Sequence, residues 1–364
     1  MIEERMPAPG EARCPGPSTT DLYRLDRTGA PAPLLAESYA FEGDEDLSFT
    51  DYTSKTYLQL EYERLWPRVW QWACREEHIP NVGDYHVYDI GDRSVIVTRT
   101  AQGIKAYNNF CLHRGTQLRP SGSAGATKQF RCPFHGWTWS LDGKLTFLPC
   151  DWDFPHVDQE QYDLPEVKVG LWGGFVFINF DPNCQPLEEY LGVLPEHFKN
   201  WDLGDRYIEV HARKKLPCNW KAAMEAFLEA YHVLETHSQG VFTTGDANAN
   251  YDVFGDNVTR FMHTTAYPSP HLEKRPTEDE ILDALFARKA PGQERPQRPE
   301  GWTARDVYAR YIQEVFKEKY GRDFSHLSNA ETIDSLEYFL FPNAFFFPGL
   351  AIPLVYRFRP NGDD

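Results

Sequence analysis

The sequence feature that most constrains the fold is a pair of short segments, CLHRG at residues 111–115 and RCPFHGW at residues 131–137. Each segment carries one cysteine and one histidine, and each histidine is followed directly by a glycine. Two Cys and two His side chains can close a tetrahedral zinc site. They can also hold a [2Fe–2S] cluster, with two Cys on one iron and two His on the other. Either use requires a fold that brings both segments together as neighbouring loops.

The order of the ligands favours the iron cluster. Cys-x-His is followed by Cys-x-x-His, so each loop supplies one ligand of each kind, as a two-iron cluster held between two loops requires. Zinc modules more often pair Cys with Cys and His with His. Gly115 and Gly136 would let the backbone approach the inorganic sulfides, and Trp137 could shield the cluster from solvent. The candidate cluster ligands are Cys111, His113, Cys132 and His135, with a zinc-stapled binding module as the alternative.

Charge and composition argue against several classes of protein. The chain has 54 acidic and 37 basic residues, a net charge of −17, and no basic face of the kind that a nucleic-acid partner needs. It has no apolar run long enough for a transmembrane helix, and its N-terminus has no apolar core of a secretory signal. We therefore expect no membrane partner. The other five cysteines lack metal-ligand spacing, which predicts free thiols and a reducing, cytoplasmic location.

The first half of the chain predicts three regions. Residues 1–50 are rich in Pro, Gly and acidic residues and predict a loosely packed, poorly ordered N-terminal arm. Residues 51–80 predict an N-terminal helix that packs on the domain of residues 181–364, with Ser54 as N-cap and Pro67 ending or kinking it. Residues 81–180 alternate with period two and predict a small β domain with both Cys/His pairs on its loops.

Local patterns add detail to this β domain and to the rest of the chain. Asp142-Gly143 suits a type I′ hairpin turn, and the aromatic run from Gly170 to Phe180 predicts one strand. In residues 181–364 helices and strands are mixed, and Thr277 and Thr303 are the capping residues of two predicted helices. The segments YDVFGDNVTRFMHTT and NAFFFPGLAIPLVYRFRP alternate like strands.

The segment NWKAAMEAFLEAYHVLETH, residues 219–237, predicts a strong helix and offers a second metal site. His232 and His237 are five residues apart, or about 140° around an ideal helix. They can converge on one ion only if the helix bends or unwinds between them. Glu225 and Glu229 share a helix face with His232, which is equally compatible with an ordinary solvated face.

Together these segments resemble the Rieske family, whose Cys-x-His and Cys-x-x-His fingerprint matches CLHRG and CPFHGW. Respiratory Rieske proteins carry an extra cysteine in each loop, but Thr116 and Phe134 occupy those places here. From Ser54 onward the chain resembles the α (catalytic) subunit of Rieske non-haem iron aromatic ring-hydroxylating oxygenases. The resemblance implies an α+β fold: a small all-β Rieske [2Fe-2S] domain inserted in an α/β catalytic domain with an antiparallel sheet and covering helices (helix-grip type).

The same resemblance implies roles for the second segment. His232 and His237 would be two members of a 2-His-1-carboxylate triad that holds a mononuclear non-haem Fe(II), which reacts with O2 as co-substrate. Glu229 stands where the family usually has an Asp that links a Rieske histidine of one subunit to an iron histidine of its neighbour. The family's third ligand is a distant Asp whose position would lie beyond Asp364, so the catalytic domain at 181–364 is expected to be truncated.

The implied function is a terminal oxygenase component that mono- or dioxygenates an aromatic or other apolar small-molecule substrate. Electrons would come from an NAD(P)H-dependent reductase, directly or through a ferredoxin, to a homotrimer or an assembly with a small β subunit. Two alternatives remain: an oxygenase acting on a quaternary amine, at which Glu229 hints, and a Rieske electron carrier without oxygenase activity. Several aromatic and aliphatic residues are candidate pocket lining or ordinary core: Phe227, Leu234, Phe261 and Phe345 to Phe347.

Overall fold

The computed structural model describes residues 13–287 and 295–362, and these residues form two compact units. The first unit contains residues 13–48, 191–201, 221–287 and 295–358. The second contains residues 49–190, 202–220 and 359–362. The long stretch of the second unit therefore interrupts the first along the chain, which is the chain order of an inserted domain.

Short helices and strands alternate along both units. The helices are α1 (Thr19–Leu25), α2 (Ala32–Leu35), α3 (Thr50–Thr53), α4 (Lys55–Leu60), α5 (Leu187–Leu191), α6 (Leu194–His197), α7 (Trp220–Glu225), α8 (Val233–Thr236), α9 (Glu278–Phe286), α10 (Ala304–Tyr320) and α11 (Asn329–Ile333). The strands are β1 (Gln71–Arg75), β2 (Asp84–Ile90), β3 (Arg93–Thr100), β4 (Gly103–Asn108), β5 (Ala124–Ala126), β6 (Gln129–Arg131), β7 (Thr138–Ser140), β8 (Leu145–Phe147), β9 (Glu166–Trp172), β10 (Phe175–Asn179), β11 (Thr244–Phe254), β12 (Val258–Thr265), β13 (Ser335–Leu340), β14 (Ala344–Phe347) and β15 (Leu354–Arg357). In the described part of the chain, no helix combines the length and the apolar character that crossing a membrane requires.

Two antiparallel sheets form the second unit. The larger has the strand order β1-β10-β9-β4-β3-β2-β5, and the smaller has the order β6-β7-β8. Side chains from both sheets, including Ile96, Tyr107, Phe130 and Trp139, share one buried cluster with the two candidate cysteines. The Cys/His loops are thus anchored on the hydrophobic core at their cysteine ends.

The hairpin turns of this unit differ from the prediction. Gly173 and Gly174 both have positive φ, 55° and 79°, and they join β9 to β10 as a two-residue loop between paired Trp172 and Phe175. Two positive φ angles define the type I′ turn, so the predicted single strand over 170–180 is in fact the tip of a hairpin. The Asp142-Gly143 turn is not type I′, because only Gly143 has a positive φ.

The stretch 51–80 is only partly helical. Ser54 caps α4, since its hydroxyl accepts a hydrogen bond from the backbone of Tyr57 at 3.2 Å, and a π-helical turn follows at Glu61–Leu65. Pro67 ends the helical stretch, and β1 follows and pairs with β10. The Ser54 cap and the stop at Pro67 are confirmed, whereas the prediction of one N-terminal helix packing on the catalytic domain missed a strand of the large sheet.

The first unit is built on a five-stranded antiparallel sheet with the order β11-β12-β13-β14-β15. Helices α9 and α10 lie between β12 and β13 along the chain and share a buried apolar cluster. Thr277 and Thr303 cap these helices with complete capping boxes, as predicted. Sequence analysis missed α11 and β13, because the run from 328 to 340 carries no clear period.

The N-terminal segment is packed where a loose arm was predicted. Ser18 caps α1, and Tyr23 and Leu34 are buried. Arg260 of β12 forms a buried ion pair with Asp252 and also donates to backbone carbonyls of residues 33 and 36. The prediction is therefore wrong for residues 18–38. Residues 39–50 are exposed, and residues 1–12 lie outside the described part of the chain.

Candidate metal centres

The two Cys/His loops are closed by the same pair of backbone hydrogen bonds. In each loop the cysteine N–H donates to a carbonyl five residues later, and the glycine N–H donates back to the cysteine carbonyl. These bonds measure 2.8 and 2.8 Å around Cys111, and 2.8 and 3.1 Å around Cys132. Gly115 and Gly136 have φ of 74° and 80°, a conformation that strains any residue with a side chain. The glycine after each histidine thus gives both loops one shape.

The two histidines of these loops face each other. Their Nδ1 atoms are 3.1 Å apart, and two imidazole nitrogens about 2.1 Å from one ion are about 3 Å apart when their bonds meet near a right angle. His113 stacks on Trp137 at 5.3 Å, with 4° between the ring planes. His135 stacks on Phe134 at 3.9 Å. The ring planes are therefore held by neighbours, with both Nδ1 atoms placed to share one metal ion.

The two cysteines lie on the inner side of the same site. Cys111 and Cys132 are buried, while His135 is exposed. Burial raises the pKa of the Cys111 thiol, an effect that the His113 backbone N–H opposes and the neighbouring Cys132 reinforces. A thiolate in such surroundings needs a metal ion to replace its lost solvation. The remaining five cysteines are free thiols, as predicted.

The grouping of the donors fits two irons better than one zinc. His113 and His135 meet at their Nδ1 atoms, and Cys111 and Cys132 are neighbours in the buried part of the site. Tetrahedral zinc requires all four ligands around one centre. A Rieske cluster requires one pair of cysteines and one pair of histidines, because inorganic sulfides complete each iron. The paired arrangement of Cys111, His113, Cys132 and His135 satisfies that second requirement.

The predicted helix over residues 219–237 is broken. Helix α7 ends at Glu225 and α8 begins at Val233, with irregular turns between them. This break lies before His232, whereas the residues between the two histidines form α8, whose C-cap His237 has φ −121° and ψ 37°. The rings of His232 and His237 are 5.2 Å apart between centroids, although a continuous ideal helix would point them about 140° apart. The prediction of one strong helix is wrong, and the backbone leaves the helical path at His237 and does not unwind between the two histidines.

Packing against the five-stranded sheet accounts for the position of this segment. Ala230 and Val233 form a buried cluster with Phe261 of β12. Phe227 lies 4.8 Å from Tyr356 of β15 and 6.0 Å from Phe345 of β14, between ring centroids. The residues between α7 and α8 thus cover one face of the sheet. Candidate lining residues Phe227, Phe261 and Phe345 all belong to this contact.

Glu229 contacts His232 through both carboxylate oxygens. Oε1 lies 2.6 Å from the His232 Nδ1, and Oε2 accepts the His232 backbone N–H at 3.1 Å. A carboxylate on one imidazole nitrogen fixes the tautomer and directs the other nitrogen to a metal. The side chain of Glu229 is 37% exposed, which leaves part of it open to a further contact.

Two residues on the sheet beneath this segment were not singled out from the sequence. His263 of β12 and Glu337 of β13 lie on the same sheet face as Phe261 and Phe339. The sequence does show Glu337 as a charged residue within the apolar run SLEYFLF, and this could have marked it as a candidate site residue. Asp363 and Asp364, which sequence analysis considered beside the missing carboxylate ligand, lie outside the described residues.

Comparison with protein families identifies both parts of the chain. The family of the Rieske [2Fe-2S] domain matches residues 69–158. The family of the ring hydroxylating alpha subunit (catalytic domain) matches residues 198–364.

The curated relatives include oxygenases named for aromatic compounds and one named for carnitine. The chlorobenzene dioxygenase subunit alpha of Cupriavidus sp. (strain PS12) is 32% identical over 209 residues, 54% of this chain and 46% of that protein. The salicylate 5-hydroxylase large oxygenase component of Ralstonia sp. is 33% identical, over 52% and 48% of the two chains. The carnitine monooxygenase oxygenase subunit of Escherichia coli (strain K12) is 29% identical, over 51% and 50%. The chain spans about half the length of the curated relatives it matches.

Solved structures show the fold. Naphthalene 1,2-dioxygenase with indole bound has a TM-score of 0.58 at 22% identity, covering 84% of this chain and 66% of that one. A quaternary ammonium Rieske monooxygenase has a TM-score of 0.54 at 23% identity, covering 60% and 62%. The predicted fold class is confirmed. Residues 69–158 are a Rieske [2Fe–2S] domain and residues 198–364 are the catalytic domain of a ring hydroxylating alpha subunit, two domains that together imply a Rieske [2Fe–2S] cluster and a mononuclear iron that acts with O2.

Proposed function

We propose that this chain is the oxygenase component of a Rieske-type oxygenase that uses O2 to hydroxylate a small-molecule substrate. The observation that carries the proposal is the presence of two separate histidine pairs in one chain. The His113–His135 pair has Nδ1 atoms 3.1 Å apart, and the His232–His237 pair has ring centroids 5.2 Å apart. An electron carrier needs only the first pair, so the second pair favours an enzyme.

Each ligand set has a distinct part in this proposal. Cys111, His113, Cys132 and His135 hold the [2Fe–2S] cluster, and His232 and His237 hold the mononuclear iron. When bound, the cluster supplies single-electron transfer and the Fe(II) supplies O2 activation. Glu229 orients the His232 ring and keeps the hydrogen on Nδ1, which leaves Nε2 for the metal.

The surface around the cluster loops supports the proposed electron donor. Arg114 lies over the ring of Phe134 at 5.6 Å, and Arg131 over Phe147 at 5.8 Å. These two cations flank the exposed edge of His135, although the chain as a whole has a net charge of −17. Such a local positive patch suits an acidic electron donor. We propose a ferredoxin or an NAD(P)H-dependent reductase as that donor, a homotrimer or an assembly with a small β subunit, and a cytoplasmic location.

Two substrate classes compete within this function. The aromatic contacts of Phe227 with Phe345 and Tyr356 suit an aromatic or other apolar substrate. The second candidate is a quaternary amine, and the specific observation in its favour is the buried carboxylate of Glu337 on the same sheet face.

The test is a count of iron and acid-labile sulfide in the anaerobically purified, reconstituted chain, with its EPR spectrum. The proposal expects about three irons and two sulfides per chain, together with a Rieske-type signal. His237→Ala should remove only the mononuclear iron, and Cys132→Ser should remove the sulfide and the signal. Zinc without sulfide would overturn the proposal. A full cluster without substrate-dependent O2 uptake in the presence of a reductase would show that the chain is only an electron carrier.

A further inference from the structure

We propose that Glu337 determines substrate specificity by selecting molecules that carry an ammonium cation. The inference rests on the proposed oxygenase function, because it places Glu337 on the substrate side of the His232–His237 site. It names a residue with no part in either ligand set, and it chooses between the two substrate classes.

The register of the sheet places Glu337 beneath the histidine-bearing segment. Glu337 of β13 is directly opposite Phe261 of β12, and residues opposite each other in antiparallel strands project from the same face. Phe261 packs against Ala230 and Val233, which lie two residues before and one residue after His232. The carboxylate therefore projects toward the segment that carries the candidate iron ligands.

The charge of Glu337 has no full counter-charge in the described part of the chain. The residue is 8% exposed, and its Oε1 accepts a hydrogen bond from the Ser335 hydroxyl at 2.8 Å. The nearest cationic candidate is His263, whose Nε2 lies 3.6 Å from the same oxygen. No Lys or Arg among residues 13–287 and 295–362 forms an ion pair with it. A buried carboxylate in this condition favours a ligand that brings a positive charge.

His263 is poorly placed to be that charge. Its Nδ1 is buried and has no hydrogen-bond partner, and an imidazolium must donate from both ring nitrogens. The Nε2 of His263 lies 3.6 Å from the Glu337 Oε1, which is longer than a hydrogen bond, so His263 does not satisfy this carboxylate.

Aromatic rings flank the carboxylate on both sides. Tyr251 stacks on Phe261 at 5.1 Å, and its hydroxyl lies 3.4 Å from the Ala230 nitrogen. Burial raises the pKa of the Tyr251 hydroxyl, and the charges of Glu229 and Glu337 add to the rise. Tyr251 is opposite Phe261, and Phe261 is opposite Glu337, so the three side chains lie in one row across the same sheet face.

The other flank is formed by β14 and β15. Tyr356 lies 5.6 Å from Phe347 and 4.8 Å from Phe227, between ring centroids. Tyr356 is opposite Phe345, which is opposite Phe339. Phe339 lies two residues after Glu337 on β13, so the Tyr356 ring projects from the same sheet face as the carboxylate. Ring faces attract cations, most strongly where water is excluded. Tyrosines around a buried carboxylate form a site for a methylated ammonium group, whereas a neutral arene would leave the charge uncompensated.

The experiment compares two probes of equal shape on the iron-loaded, reconstituted chain under anaerobic conditions. Choline carries a trimethylammonium group, and 3,3-dimethylbutan-1-ol replaces its nitrogen by carbon without the charge. By calorimetry, we expect choline to bind about tenfold more tightly, and Glu337→Gln to abolish the preference while iron and sulfide contents stay unchanged. Glu337→Asp should keep a preference for choline. Glu318→Gln, the same change on the exposed face of α10, should behave as wild type.

The outcomes separate this inference from the proposed function. Equal binding of the two probes by the wild type, or a preference that survives Glu337→Gln, would overturn the role of Glu337 even with full iron and sulfide. A chain without a Rieske signal would overturn the oxygenase proposal, whatever the probes do. Far-UV circular dichroism of Glu337→Gln and Glu337→Asp checks that both variants are folded.

Discussion

Glu229 holds His232 at two points, with Oε1 2.6 Å from the imidazole Nδ1 and Oε2 accepting the backbone N–H at 3.1 Å. Carboxylates that orient a histidine ligand in this way change metal affinity by about 10- to 100-fold when they are removed. We expect Glu229→Ala to weaken Fe(II) binding by about that factor while the Rieske EPR signal is retained. Glu229→Gln, which keeps one acceptor oxygen, should have a smaller effect. Anaerobic Fe(II) titration measures both.

The matched control for this prediction is Glu235→Gln, an exposed carboxylate on α8. It removes the same charge close to the same histidines without touching His232. Iron affinity that falls equally in Glu229→Ala and Glu235→Gln would show that only the local charge matters, and the orienting role of Glu229 would be discarded.

The glycines that follow His113 and His135 give a second prediction. Gly115 and Gly136 have φ of 74° and 80°, so alanine at either place costs about 1–2 kcal/mol of backbone strain. At Gly136 a methyl group would also lie 2.8 Å from Arg131. We expect both alanine variants to lose acid-labile sulfide. Gly321→Ala, at φ 67° after α10 with open space around it, should cost similar stability and keep the sulfide. Sulfide loss in all three variants would attribute the effect to general instability.

Local signals made the helix caps and the cluster loops predictable from the sequence. Ser54, Thr277 and Thr303 each cap the helix expected of them, because a side-chain oxygen accepts a backbone N–H three residues later. The Cys-x-His and Cys-x-x-His order predicted which residues would face each other, since short loops leave the chain few alternatives. These features depend on contacts within a few residues, which a sequence displays directly.

Features that depend on distant contacts could not be predicted. The break between Glu225 and Val233 overrides good helix-forming residues, because Ala230 and Phe227 pack on strands that lie far along the chain. Glu337 stands within an apolar run of the sequence. Only the strand register, which places it opposite Phe261, shows that it lies beneath the histidine-bearing segment. Tertiary packing decides such cases, and periodicity does not report it.

Asp26, Arg305 and Asp334 form a buried ionic cluster that joins the N-terminal segment to the rest of the first unit. Arg305 of α10 donates to Asp26 at 2.6 and 2.9 Å and to Asp334 at 2.7 Å, with all three side chains at most 5% exposed. Asp334 would still balance the charge of Arg305 in Asp26→Ala, but the Arg305 Nε–H would lose its acceptor in a buried site, so the variant should lower the free energy of unfolding by about 1–3 kcal/mol.

The control for this cluster is Asp21→Ala in the same segment. Asp21 pairs with Arg24 where both side chains are about half exposed, and such pairs contribute about 0–1 kcal/mol. Although Asp21 also caps α1, its loss should cost clearly less than that of Asp26 in urea unfolding. Equal costs for the two variants would mean that the N-terminal segment is only loosely attached.

The last prediction concerns the pH dependence of stability through His197 of α6. Burial lowers the pKa of His197 from its usual 6.5 to about 4, and the nearby positive charge of Arg260 adds to the shift. Between those two pH values the unfolded chain binds a proton that the folded chain does not, so stability falls as the pH falls from 6.5 to 4. The difference is on the order of 2 kcal/mol after allowance for partial exposure. In His197→Gln, the urea concentration at the midpoint of unfolding should therefore change less over this pH range than it does in the wild type. His271→Gln, at an exposed position of the same unit, should leave the curve unchanged. A wild-type slope that persists in His197→Gln would place the titrating group elsewhere.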